Sequence, residues 1–427
     1  MPASLRTARW TFAVALAVLV AAEMLRIYWI MPFPGSQRSA TIGLAYGLHR
    51  WIWPLRVLVG AVAVWAAGRL LVGGGWSVRA LTLAGAGLFG VVAYQANFPM
   101  SADVMFRQPE VLAFAPPAAA TLPAEALVVG IELSGAGGAV QARAYPLRFI
   151  GYHHQVRDVV AGQPVMVTYC TVCRTGRVYR PVVNGEVADF RLVGMDHWNA
   201  MFEDSLTGSW WRQANGKAIA GSAKGQQLVE IPSHQMTWAA WSSLHPGSDV
   251  MEPDPRFLSS YTGLEAFEQG TSESTLTGRD TASWGEKSWV VGVLAGGQAR
   301  AFDWNELVRA RVIEDSVGGV PVVLLLGADG ASFHAFDARP DAGGTTVSLE
   351  PTAEPDRFRD RATGALWHES GVALGGPQAG KQLKRLPAYQ EFWHSWRTFH
   401  PQTTAGGSAA PRGQAAIQEQ GQVAPGG

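Results

Sequence analysis

The apolar positions of this chain are unevenly distributed, and their distribution predicts two kinds of structure. From Trp10 to Met31 the sequence is almost wholly apolar and long enough to span a hydrocarbon core, with Arg6 and Arg9 just ahead of it. Trp51 to Val72 reads as a second span. Leu81 to Ala96, shorter and rich in Gly and Ala, reads as a third, with Arg69 and Arg79 flanking the connector between them. Placing Arg6, Arg9, Arg69 and Arg79 on the cytoplasmic side satisfies the positive-inside tendency, although Arg38, Arg50 and Arg56 dilute the bias. Three spans then deliver everything after Asn97 to the outer face. A cleaved signal peptide is the competing reading of the first span. It is disfavoured because Glu-Met-Leu-Arg-Ile-Tyr-Trp stands where a small-residue cleavage site belongs. Glu23 and Arg26 are three apart on one helical face and read as a mutual ion pair, with a quinone or proton site as the lesser alternative.

Beyond the spans the pattern changes to short β-branched runs punctuated by Gly and Pro. Pro99 to Pro123 is an Ala- and Pro-rich linker, and a globular region begins near Ala126. It reads as a tandem repeat. Ala142-Arg-Ala-Tyr145 answers to Ala299-Arg-Ala-Phe302, and Gly162-Gln-Pro-Val165 to Gly319-Val-Pro-Val322. Phe202-Glu-Asp204 with Trp211 answers to Phe358-Arg-Asp360 with Trp367, and Trp238, Trp241 and His245-Pro246 to Trp393, Trp396 and His400-Pro401. The spacing drifts from 157 to 155 positions, as single-residue deletions would make it. The expected fold is therefore an N-terminal set of transmembrane helices followed by a mainly β extracytoplasmic region built from two tandem pseudo-repeat lobes. The expected boundaries are a three-helix membrane anchor over 1–98, a linker over 99–125, a first lobe over 126–247, a linker over 248–287 and a second lobe over 288–401. A disordered tail follows over 402–427. Short helices are expected near Trp238 to Trp241 and from Tyr389 to Trp396.

Composition adds little on partners. Basic and acidic residues balance at 34 each, so neither nucleic acid nor an ionic substrate is recommended by net charge. The skew to 48% hydrophobic and 16% charged residues comes mainly from the first hundred positions. Candidate chemistry gathers in Pro164 to Tyr179, which holds both cysteines of the chain. Pro164 to Tyr169 reads as a strand, with Cys170-Thr-Val-Cys173 at its exit. His153 and His154 lie just upstream, in what reads as an extended segment, so that only one of them would reach the sulfurs. His197 follows another strand-like run and could complete a ligand sphere, with Met201 a weaker thioether candidate.

The repeat acts as an internal control. His153, His154, Cys170, Cys173 and His197 face Ala310, Arg311, Gly327, Gly330 and Ala353, so none of the soft or imidazole candidates around the cysteine stretch has a like counterpart in the second lobe. Asp204, Trp211, Trp238, Trp241 and His245 have counterparts and are assigned to turns, core and caps. Cys-x-x-Cys with imidazole suits copper or zinc. The same pair could instead be a dithiol/disulfide redox couple or, in an oxidising compartment, a structural disulfide. Arg174, beside the thiols, is expected to lower their pKa. The sequence has no P-loop, no Gly-x-Ser-x-Gly elbow, no HExxH and no GxGxxG following a strand-like run.

Ala142-Arg-Ala-Tyr-Pro-Leu147, the His153 segment through Asp158, Gly162 to Cys173, and Asp204 to Gly221 resemble the bacterial domain-of-unknown-function family 3179. Many members carry Trp-His-Glu where this chain has Tyr152-His153-His154, and Cys-Pro-x-Cys-Gly at Cys170 to Arg174. The extra histidines and the multi-span anchor look like a subgroup. No activity comes with the family. The resemblance implies an often exported module, with metal binding as one option, and it transfers His153, Cys170 and Cys173 as the functional centre. The expected protein is thus anchored in the bacterial inner membrane with its N-terminus cytoplasmic. Its copper or zinc site of Cys170, Cys173, His153, His154 and His197 would be supported by Arg174 and Met201. Its expected partners are the bilayer and a small-molecule or protein redox partner.

Overall fold

The computed structural model describes residues 3–38, 40–341 and 344–407. The three apolar stretches form helices α1 (Ala3–Tyr28), α2 (Ile42–Gly73) and α3 (Trp76–Asn97), each long and apolar enough to cross a membrane. Each extends beyond its apolar run, because backbone hydrogen bonding carries the helix into the polar flanks. Even the shortest is about 33 Å long, against roughly 30 Å of hydrocarbon.

The chain divides into two compact units. The first joins the residues up to Gln108 with Pro181–Leu228. Ala8, Ala15, Ala63 and Ala66 lie with Phe12, Leu19, Leu70 and Val78 in the cluster that packs these helices, the small side chains allowing close approach. A polar knot joins the helices. Glu23 accepts from Arg56 Nε at 2.6 Å and from Arg26 at 3.3 Å, while Asn97 Oδ1 accepts from Arg26 at 2.8 Å and from Arg56 at 3.0 Å. The expected Glu23–Arg26 pair forms, but the tighter partner is Arg56 on another helix.

Pro181–Leu228 adds an antiparallel meander whose strands are Phe190–Asp196, Asn199–Asp204, Trp210–Arg212 and Ala218–Ala220. It packs against the chain following α1 and the start of α2. Met195 N donates to Ile30 O at 2.7 Å, and Val193, Met201 and Trp210 share an apolar cluster with Ile30 and Ala45. The stretch expected as one lobe over 126–247 is therefore divided between the units.

The second unit comprises Pro109–Arg180 and the residues from Val229 on. In chain order its first half contains β1 (Leu127–Ser134), β2 (Val140–Pro146), α4 (Leu147–His153), β3 (Gln155–Val160), β4 (Gln163–Cys170) and β5 (Thr175–Tyr179). After the excursion come β6 (Ser233–Thr237), α5 (Trp238–Leu244) and β7 (Asp249–Met251). β6, β1 and β2 are antiparallel neighbours and β7 joins β2 in parallel; β3, β4 and β5 form a second antiparallel sheet. The other half contains β8 (Trp289–Ala295), β9 (Gln298–Asp303), α6 (Trp304–Ala310), β10 (Val312–Val317), β11 (Val320–Leu326) and β12 (Phe333–Asp337). It ends with β13 (Ala388–Phe392), α7 (Trp393–Phe399) and β14 (Thr404–Gly406). Here β13, β8 and β9 are antiparallel, β14 is parallel to β9, and β10, β11 and β12 form their own sheet. Both halves fill one buried cluster, in which Val129, Tyr145, Val167 and Tyr169 lie with Val291, Phe302 and Leu324.

Several sequence expectations are corrected. Tyr389 to Phe392 is strand rather than helix, since it pairs with β8, and the helix begins at Trp393. The stretch over 248–287 is not a bare linker: it supplies β7 and the buried Phe257, Tyr261 and Phe267, aromatics that a Gly/Ser/Asp-rich composition conceals. The linker over 99–125 likewise contributes the strand Phe114–Ala115, paired with β7. The tail expected to be disordered from 402 is ordered through β14 as far as it is described. Residues 408–427 lie outside the described residues.

Two glycines show why the strand sequences are constrained. A Cβ at Gly130 would stand 2.3 Å from the Trp241 ring, and one at Gly292 would stand 2.2 Å from the Trp396 ring. Each indole lies directly on its strand, which only glycine allows.

Candidate functional site

The two cysteines occupy one hairpin turn. Cys170 ends β4 and pairs with Thr175, the first residue of β5; residues 171–174 make the turn, and Arg174 closes it in the left-handed conformation at φ 53°. Both side chains stand as thiols and both are 0% exposed. A turn of this length keeps residues three apart close together, in the range where two sulfurs can share one atom or one bond.

Residues far along the chain help to hold the turn. Phe392 N donates to Cys173 O at 2.9 Å, and His394 Nε2 lies 3.2 Å from Val172 O. A carbonyl only accepts, so Nε2 carries the His394 proton. Burial and the neighbouring Lys287 charge hold His394 down at about 4, so it is neutral. Thr175 Oγ1 donates to Glu391 Oε1 at 2.8 Å, and Arg177 meets the same oxygen at 2.5 Å in a fully buried ion pair.

Lys287 brings a further cation close to the turn. Its ammonium donates to the Leu276 carbonyl and lies 5.1 Å from the Phe392 ring centroid. Burial pulls it below the ordinary lysine value, while charge on Cys173 and, more weakly, on Cys170 acts to raise it. That coupling is reciprocal, so the ammonium favours the thiolate form of both cysteines, and of Cys173 most.

The histidines fall elsewhere than an extended reading of their segment places them. His153 is the last residue of α4 and His154 its left-handed cap at φ 61°, the conformation that Arg311 adopts after α6 at φ 62°. His153 Nε2 lies 2.7 Å from Tyr261 Oη, with its ring packed edge-on against Tyr152, Phe257 and Tyr261. His154 Nδ1 lies 3.1 Å from Tyr152 O, and burial holds this ring at about 4 against the raising effect of that bond. The His154 carbonyl accepts from Tyr169 N at 3.0 Å, which puts its backbone beside the residue preceding Cys170.

His197 and Met201 belong to the other unit. His197 and Trp198, at φ 50° and 68°, form the two-residue turn of a hairpin. His197 Nδ1 lies 2.5 Å from Asp196 Oδ1, a hydrogen bond that raises the imidazole above its usual value. Met201 is buried in the apolar cluster beside Ile30. Arg174, expected beside the thiols, instead sends its guanidinium over Trp289 and bonds to Gln390 and to the Phe267 and Glu268 carbonyls. His245 packs at a tilt against Trp241, ring centroids 4.0 Å apart, and lies 3.2 Å from Glu132, a structural position. Among the described residues, no three His, Cys, Asp or Glu side chains gather as a metal-holding group.

Sequence reasoning overlooked Lys287, Glu391 and His394. The repeat comparison did carry a signal for the last two, since Glu391 aligns with Met236 and His394 with Ala239.

Fold and site thus define a protein with three apolar, membrane-length helices and a mainly β region that carries a buried two-thiol turn. The family model described as a protein of unknown function (DUF3179) matches residues 107–403, most of the chain, and the chain belongs to that family. No curated protein and no solved structure matches it.

Proposed function

We propose that this is a membrane-anchored dithiol protein whose Cys170–Cys173 pair exchanges electrons with a disulfide-bearing partner on the outer face of a bacterial inner membrane. The observation that carries this reading is the turn itself, which sets Cys170 at the end of β4 and Cys173 three residues on, both as thiols within reach of one bond. A thiolate is the attacking species in thiol–disulfide exchange. Cys173 thiolate attacks one sulfur of the partner disulfide, forming a mixed disulfide and expelling a partner thiolate. Cys170, on losing its proton, attacks Cys173 and expels the second. The pair ends as a disulfide, the partner as a dithiol, and two electrons have moved. With both thiols 0% exposed, exchange requires the turn to open.

The outer placement is supported by three membrane-length helices with arginines at the N-terminus and at the α2–α3 connector. We further read the two halves of the second unit as copies of one ancestral element. Each runs hairpin, short helix, three-stranded sheet, then a returning strand and helix whose indole covers a strand glycine. The copper or zinc reading rests on donor chemistry: two thiolates are a soft set, and a metal here would be held chiefly by Cys170 and Cys173.

The test is thiol counting and elemental analysis of the detergent-purified chain beside Cys170→Ser/Cys173→Ser, followed by equilibration with glutathione buffers. A reversible two-electron transition that the double variant lacks supports the exchange reading. Near-stoichiometric copper or zinc lost in that variant would replace it with metal holding. Thiols that never oxidise in the folded protein, with no metal present, would end both.

A further inference from the structure

Apart from the thiol turn, the second unit contains a cavity of about 500 Å³ whose charged lining sets three guanidinium groups against the carboxylates of Glu125 and Glu268. Arg148, Arg174 and Arg279 all reach it. Arg148 is neutralised by Glu268, whose Oε2 accepts from Arg148 Nε at 2.8 Å. The other two have no such partner: among the described residues, neither Arg174 nor Arg279 makes an ion pair. Arg174, itself 0% exposed, bonds only to neutral oxygens, those of Gln390 and two backbone carbonyls. Arg279 bonds to the Asn305 side-chain oxygen at 2.8 Å.

Both guanidinium groups lie over one indole. Arg174 Cζ is 3.7 Å and Arg279 Cζ 4.0 Å from the Trp289 ring centroid. A π-face offsets part of the cost of a buried cation but supplies no counter-charge. Two buried donors on this same wall, Arg279 Nε and Trp289 Nε1, have no hydrogen-bond partner among the described residues. Buried donors left unbonded are rare and costly, and here they coincide with two cations that make no ion pair, though Glu268 and Asp303 act on them from a distance, in a hollow of ligand-binding size.

We infer that this cavity binds a small organic oxyanion, its carboxylate or phosphate head taken by Arg174, Arg279 and the Trp289 indole N–H. The body of the ligand would lie on the apolar wall that Trp304 and Val308 provide. Guanidinium forks match the planar geometry of such heads, and one charged ligand would satisfy both orphan donors and both cations. The inference stands on this cavity alone and does not depend on the thiol reading.

The experiment is isothermal titration and thermal unfolding of the full chain in detergent with benzoate, phenyl phosphate and neutral benzamide as probes. Benzoate or phenyl phosphate is expected to bind and raise the unfolding temperature while benzamide does neither, and the tighter of the two acids identifies the head group. Arg279→Gln, at a partly exposed position, should weaken binding about tenfold or more. Arg174→Lys, which keeps the charge but loses the fork, provides a second check that does not leave the site without its cation. Absence of binding by either acid, equal binding of benzamide, or unchanged affinity in Arg279→Gln would overturn the assignment.

Discussion

Phe392 donates its backbone N–H to the carbonyl of Cys173 at 2.9 Å, so the thiol turn in the first half of the β region is fastened to a strand end more than two hundred residues away. The contacts of His394, Glu391 and Lys287 reinforce this link. The two halves therefore act on the thiols together, and several consequences can be measured.

Replacing Lys287 by Met removes the cation that favours thiolate. The pKa of the thiol pair should rise, moving the ultraviolet thiolate absorbance titration to higher pH. An unchanged titration would remove Lys287 from the site.

Acid should loosen the second unit through its buried neutral histidines. His154 and His394 are held at about 4 in the folded chain, mainly by burial, against an unfolded value of about 6.5. Between these values the unfolded chain binds protons that the folded chain does not. The stability is thus complete above pH ~6.5 and falls as pH drops towards ~4, by on the order of 1–3 kcal/mol per histidine. Thermal unfolding across this range should show the fall, and His154→Asn/His394→Gln should reduce it, the remainder coming from His234, held at about 3, and the buried His334, held well below its usual value.

The polar knot among the helices is expected to be a stability element. Glu23→Ala leaves Arg26 and Arg56 together without their carboxylate, and losing one partner of a buried pair costs roughly 3–5 kcal/mol. The variant should unfold in detergent at a clearly lower temperature, and Arg56→Ala should cost more than Arg26→Ala, given 2.6 Å against 3.3 Å to Glu23.

Gly130→Ala and Gly292→Ala should each destabilise the β region strongly, because a methyl group would fall 2.3 or 2.2 Å from an indole carbon. Adding Trp241→Leu to the first, or Trp396→Leu to the second, should recover part of the loss. If the glycine variants unfold normally, the close indole approach is not a constraint.

Local pattern revealed much of this protein. Continuous apolar runs can only be buried in lipid or in a core, so α1 to α3 were legible, and short β-branched runs around Gly and Pro marked β1, β4, β8 and β11. The Cys-x-x-Cys at a strand exit was legible for the same reason, since strand residues end where turn residues begin. Tyr389 to Phe392 was not, because its strand state comes from pairing with β8 rather than from its own propensity.

What the sequence by itself determined was what depends on near neighbours: the three membrane-length helices, the mainly β character and the placing of both thiols in one turn. Only the tertiary structure decided which groups face those thiols. It assigned His197 and Met201 to a different compact unit, made His153 and His154 the end of a helix, and turned Arg174 towards Trp289. It also brought Lys287 and His394 to the turn across more than a hundred residues of chain. Such contacts are fixed by how sheets share a core, and the sulfur environment depends on them because charge acts through space rather than along the sequence.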